Sequence, residues 1–235
     1  MDVLANNLTN VDTTAYKSDA LISSTFKDMM LTRINDPDVV SVSKTAGPLG
    51  VGTHIESLYT SFVQGAVEQT GRPCDFALTG EGFFVVSTSE GERYTRSGSF
   101  SVTSDGYLVN GDGLYVQGEN GNIHVDGDNF TVDEQGNVYV DGTITDKLRI
   151  VTFEDLTGLR KQGNNLYYNS TDAQVQEPPA DTQVIQGALE GSNVDIAEEV
   201  TRLMVVSNAY QINQRVLGMV DESLSKTVNE VGRIG

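Results

Sequence analysis

The side chains in this sequence that could carry chemistry are its 33 carboxylates, two histidines and one cysteine. Paired carboxylates would suit glycoside hydrolysis, but no spacing singles out one acid and one nucleophile. His54 and His124 lie far apart without metal-ligand spacing, and no G-x-S-x-G elbow supports a nucleophilic serine. Cys74, between Pro73 and Asp75, reads as a small core residue; a lone cysteine excludes an internal disulfide and a cysteine-based zinc site. Asp105, Asp112, Asp126, Asp128 and Asp133 sit among glycines as calcium ligands do. The stretch "DGDNFTVDEQG", however, does not keep the D-x-[DN]-x-[DN]-G order, and solvated turns account for these residues. The expectation is a chain with no catalytic residues, no cofactor and no metal. A secreted, acidic, β-rich carbohydrate-active protein or adhesin is the alternative.

Charge narrows the partners. Fifteen Lys and Arg against 33 acids leave a net charge of −18. Such a surface repels phosphate backbones, so nucleic acid is not an expected partner. The N-terminus lacks the basic and apolar regions of a cleaved secretory signal, so export would need another route. The 24 glycines, with many Asp and Asn and no Trp, predict tight turns between short strands.

The elements that would position these residues begin with a helical stub. Leu4, Leu8 and Val11 recur at the spacing of one helical face. Asn6, Asn7, Asn10, Asp12, Thr13 and Thr14 favour local backbone hydrogen bonds, so the helix should unwind near Val11. Leu21, Ile22, Phe26, Met29 and Met30 have helical spacing and predict a second amphipathic stretch. "NDPDVVSVSKTAGPLGVG" reads as loop. Beyond it, β-rich runs flank Glu90-Gly91, Asp105-Gly106 and Gln135-Gly136, read as hairpins with type I′ turns. "LRIVTF" (148–153) predicts a central strand.

The C-terminal stretch is the most regular. Asp195 followed by Glu198 resembles a capping box, Glu198–Arg202 and Glu222–Lys226 are i,i+4 pairs, and Gly232 and Arg233 mark the end. The predicted helix runs about 36 residues, or about 54 Å. Ile196, Leu203, Tyr210, Leu217, Leu224 and Val231 fall on every seventh position. Val205, Ala209, Ile212, Val216 and Met219 form a second stripe, about 200° from the first. A helix apolar on two opposed faces needs partners on both sides, and the stub covers less than a third of one. The β region could cover part of the other; the remainder asks for other protomers.

Together these elements predict an α+β fold: a predominantly β middle region of short strands and hairpins, flanked by N- and C-terminal coiled-coil-forming helices. The expected division is a terminal helical region, 1–34 plus 192–235, around a β-rich outer domain, 35–191, with a subdomain at about 76–145.

"ANNLTNVDTTAYK" (5–17), carrying Asn6, Asn7, Asn10, Thr14, Tyr16 and Lys17, resembles the N-terminal motif of the flagellar axial proteins: rod, hook and hook-associated components. "GEGFFVV" (80–86, with Gly82, Phe83 and Phe84), "YTRSGSF" (94–100) and "DGYLV" (105–109) are similar to the mid-region of rod and hook proteins. "QGALEGSNVDIAEEVTRLM" (186–204, with Ser192, Asn193 and Val194) and "AYQINQRVL" (209–217) resemble their C-terminal helix. The likeness is greatest to rod proteins of the distal (or proximal) type, with the hook type as the alternative. The resemblance implies a non-catalytic, cofactor-free subunit of the basal body. It would be exported across the inner membrane through the flagellar apparatus and polymerise helically with itself, meeting other rod and hook subunits and the surrounding ring proteins. Terminal helices would form the inner tube as coiled coils and be loose in the free chain, with β domains outside. It also implies that Leu4, Leu8 and Val11 are the last turns of a longer helix begun upstream of Met1.

Overall fold

The computed structural model describes residues 1–25, 29–32, 45–49, 53–125, 130–171 and 173–231. They form two compact units, residues 19–61 and residues 1–18 with 62–235.

In the smaller unit, Asp19–Thr25 pairs antiparallel with Thr53–Thr60, and Met29–Thr32 pairs with Thr45–Leu49. The second amphipathic helix expected here is therefore absent: Leu21 and Ile22 lie in one strand, Met29 and Met30 in another, and Phe26 lies outside the described residues. Part of the expected loop is strand as well, with Pro48 opposite Met30. Helical spacing of five apolar residues did not outweigh a run rich in Ser, Thr and Ile, which prefers a pleated surface. Leu21 faces Leu58 across the ribbon and Ala20 faces Tyr59, so cross-strand pairing organises this segment.

The larger unit is built on a nine-stranded, all-antiparallel sheet. Its centre is Phe83–Thr88, paired with Gly91–Thr95, Tyr115–Val116 and Ile150–Phe153. Alternation along "FFVV" divides two cores. Phe84 and Val86 join Phe76, Leu78, Phe100, Leu108, Val125 and Val184 on one face. Phe83 and Val85 join Tyr94, Val151, Phe153 and Tyr167 on the other. A strand buried on both faces reads as a continuous apolar run, which is why this motif is unbroken. The expected strand at 148–153 is present from Ile150 and borders this one. Cys74 is buried in the first core.

Hairpins form at the three predicted positions, but none turns as type I′: around Glu90-Gly91 only the glycine has positive φ, and the other two share their form with a further turn at Asn110–Leu114. At Thr103–Tyr107, Asn110–Leu114 and Asp133–Asn137 the fourth residue alone, a glycine, has positive φ. In each, the first N–H donates to the fifth carbonyl and the glycine N–H donates to the first carbonyl. This is the three-residue loop with a glycine bulge. Asn110 and Asp133 reinforce it, their Oδ1 atoms accepting backbone N–H bonds from two and four residues on. Two-residue turns with both central residues at positive φ occur instead at Asp141-Gly142 and Asn164-Asn165.

Two helices complete the unit: α1, Asp2–Thr9, and α2, Ile196–Val231. The stub ends at Asn10, close to the predicted Val11. Among the described residues no helix is long and apolar enough to cross a membrane.

Candidate assembly surface and the junction behind it

Helix α2 has the 36 residues the sequence predicts, and local chemistry sets its start. Asp195 Oδ1 accepts hydrogen bonds from the Ala197 and Glu198 amides at 2.8 and 3.1 Å. The box is half complete, because Glu198 turns outward to Arg202 at 2.6 Å. Glu222 and Lys226 form the second i,i+4 pair at 2.7 Å. Gly232 and Arg233 lie outside the described residues.

Only the foot of α2 is covered. Glu199 is buried, and Val200, Leu203 and Ser207 are half-buried, on the side where α1 packs. Leu4, Leu8 and Val11, in and just after α1, are half-buried. Ile196 is exposed, and from residue 208 to 229 every residue of α2 is exposed. The described residues of the β region therefore cover none of this length. Tyr210, Leu217 and Leu224 stand open along one stripe, and Val205, Ile212, Val216 and Met219 along the other, with Leu217 at 65 % and Met219 at 67 % exposure.

Behind the foot lies a buried polar junction. Glu190, fully buried, accepts through Oε1 from Lys17 Nζ at 2.5 Å and from the Gly65 amide at 2.9 Å. Its Oε2 accepts from Arg96 Nε at 2.7 Å. Lys17 Nζ also donates to Val63 O, and the Arg96 guanidinium to the carbonyls of Leu78, Gly80 and Gly82. Burial holds the Lys17 ammonium below its ordinary value, against the opposing pull of the Glu190 carboxylate. Lys17, Arg96 and Glu190 come from the three motif regions, so motifs far apart in sequence meet at one carboxylate.

The other motif residues surround this point. Asn193 Oδ1 accepts from the Ser18 amide at 2.7 Å, its Nδ2 donates to Val63 O, and its backbone N–H donates to Tyr16 O. The Tyr16 hydroxyl donates to Asn6 Oδ1 and Asn7 Oδ1, and Asn7 Nδ2 donates to Glu199 Oε1 at 3.0 Å. Lys161 Nζ lies 4.4 Å over the Tyr16 ring and donates to Lys17 O. Asn10 closes α1 by donating to Asn6 O, and Thr14 O accepts from Asn165. Ser192 Oγ accepts from the Val194 amide in the linker to α2. Gly82 has φ of +151°, and a Cβ there would meet Ile150 Cγ2 at 2.9 Å, while its carbonyl serves Arg96. Phe83 packs edge-on to Phe62, and Phe84 to Phe100.

Sequence reasoning did not single out Arg96, Glu190 or Lys161, and it read Glu199 only as a first-turn acid complementing the helix dipole. Arg96 and Glu190 stood inside the quoted motifs, but an isolated charge reads as solvated until its partner is known. Of the residues first considered for chemistry, His124 lies edge-on to Tyr107 at the surface and Asp133 caps its own turn. Asp126 and Asp128 lie outside the described residues. Among the described residues no three His, Cys, Asp or Glu side chains lie grouped to hold a metal.

Two family models match the chain: the flagellar hook protein FlgE/F/G D1 domain over residues 77–140, and the flagellar basal body rod FlgEFG protein C-terminal region over residues 185–230. The chain is 34 % identical over 246 residues to the flagellar basal-body rod protein FlgG of Bacillus subtilis, with 97 % of this chain and 92 % of that protein covered. It is 30 % identical over 251 residues to the flagellar hook-basal body complex protein FlhO of the same organism, covering 99 % and 93 %. Against the flagellar basal-body rod protein FlgF of Caulobacter vibrioides it is 31 % identical over 237 residues, covering 100 % and 92 %.

Proposed function

The chain belongs to the family of flagellar basal-body rod and hook proteins, and from that premise we propose that it works as a structural subunit of the rod, assembling with other rod and hook subunits in the basal body. Its work is mechanical: it carries torque along the shaft towards the hook.

The observation that carries this reading is α2 from residue 208 to 229, apolar on two faces and exposed throughout among the described residues. Each large aliphatic side chain moved from water into an interface contributes on the order of 1.5–3 kcal/mol before association costs. Two stripes on opposed faces allow each subunit to bind different neighbours on either side. Such head-to-tail contacts do not close into a dimer and continue into a helical polymer. The assembly residues proposed are Leu4, Leu8, Val11, Ile196, Leu203, Tyr210, Leu217 and Leu224 on one side and Val205, Ile212, Val216 and Met219 on the other. The terminal helices form the axial part and the β region the outer part. Partners of the finished subunit are copies of itself, the surrounding ring proteins and, in transit, the export apparatus.

Basal bodies isolated from cells producing an epitope-tagged chain test this. Immunogold electron microscopy should find the tag along the rod. Basal bodies with intact rods and no tag would reject the assignment.

A further inference from the structure

We propose that Glu190 is a positioning residue which sets the direction of α2 in the single chain, before any second copy arrives. This rests on the rod reading and deepens it: the foot of the helix is prebuilt, and assembly has only the stretch beyond Ser207 to organise.

The argument starts from how α2 leaves the β region. Only residues 191–195 separate Glu190 from the helix, and hydrogen bonds hold the first and the middle residue of that linker. Gly191 N–H donates to Ala66 O at 2.7 Å, and Asn193 is held by Tyr16, Ser18 and Val63. On the other side of the junction, Ala15 N–H donates to Glu190 O at 2.7 Å, and Ala15 has φ of +55°. The segment leaving α1 and the segment entering α2 are thus tied to the same residue. The Glu190 carboxylate in turn joins both to the β body through Gly65 and Arg96.

A second contact closes the other edge of the foot. Tyr16 orients Asn7, and Asn7 donates to Glu199, one turn into α2. Buried polar groups linked in this way permit few alternative arrangements, because each alternative strands a charge or a donor away from water. Past Ser207 no such tie is present among the described residues, and every residue to 229 is exposed. The chain therefore carries a fixed foot and a free length of helix, divided near Ser207.

Hydrogen exchange on the purified full chain, read peptide by peptide, tests the division. In the unmodified chain, residues 2–9, 13–18 and 196–207 should exchange at least about tenfold more slowly than 208–229. Glu190→Gln should remove that protection from 13–18 and 191–207 while the strand Phe83–Thr88 stays protected. Fast exchange throughout both helices of the unmodified chain would overturn the proposal. So would a Glu190→Gln chain that keeps its foot protected, or one that loses protection equally in Phe83–Thr88, since Glu190 would then serve only the core. If Glu190→Gln does not fold, Asn7→Ala decides. Loss of protection confined to 2–9 and 196–207 supports a foot assembled by these ties, and unchanged exchange there refutes it. All of these measurements use the chain by itself, so their outcome is separable from where the tagged chain is found.

Discussion

Lys17 and Glu190, 173 residues apart in sequence, meet as a buried ion pair at 2.5 Å, each about 1 % exposed. Arg96 takes the second oxygen of the same carboxylate, so one anion serves two buried cations. Removing the anion and removing one cation should therefore have unequal costs. Glu190→Ala leaves both cations without a counter-charge and should destabilise the chain by about 3–5 kcal/mol. Lys17→Met leaves Glu190 with Arg96 and the Gly65 amide and should cost about 1–3 kcal/mol. Urea unfolding of the two variants measures the difference. Equal costs would show that the cations do not depend on Glu190.

The exposed length of α2 should be dispensable for folding and indispensable for assembly. Leu217→Asp with Leu224→Asp alters two side chains that are 65 % and 59 % exposed, so the unfolding free energy should change by no more than about 0.5 kcal/mol. Two carboxylates placed in a packed interface are costly, and cells carrying only this variant should lose motility and rods. Rods of normal appearance would show that this stripe is not an interface.

Gly98 sits where the backbone of Phe76 passes closest. A Cβ at this position would fall on the Phe76 carbonyl, far inside van der Waals contact. That carbonyl belongs to a backbone already bound, since Phe76 N–H donates to Gly98 O at 3.0 Å. Gly98→Ala should cost about 3 kcal/mol or more, because a backbone atom must move rather than a flexible side-chain end. A midpoint within about 0.5 kcal/mol of the unmodified chain would contradict the packing described.

Acid should loosen the turn at Asp133–Asn137. Partial burial alone would raise the Asp133 carboxyl, but hydrogen bonds from the Asn137 side chain and backbone, the Tyr139 hydroxyl and the Gln135 amide outweigh it and hold the group below its ordinary value. A folded-state value below the unfolded one gives stability that is present above the ordinary carboxylate range and is lost as pH falls through the folded value. The stability gap between the unmodified chain and Asp133→Asn should therefore close between neutral pH and strong acid. A gap that does not change with pH would assign the effect to shape instead of charge.

The local features of this protein were legible in its sequence because each depends on neighbours a few residues apart. The 36-residue helix, its Asp195 cap, its two apolar stripes and its i,i+4 pairs all follow from spacing along one segment. The turn glycines were legible for the same reason, whereas burial of Phe83–Thr88 on both faces depends on two cores assembled from distant strands. The turn type was not: three residues between paired strands, rather than two, is settled by the register the flanking strands adopt. Residues 19–25 and 29–32 were misread because apolar spacing fits a helix, while strand pairing between Asp19–Thr25 and Thr53–Thr60 depends on a partner more than twenty residues away. Only the tertiary structure could decide that Lys17, Arg96 and Glu190 share one buried site. A charged residue looks solvated in sequence, and the energy that makes burial tolerable comes from partners whose meeting the fold alone determines.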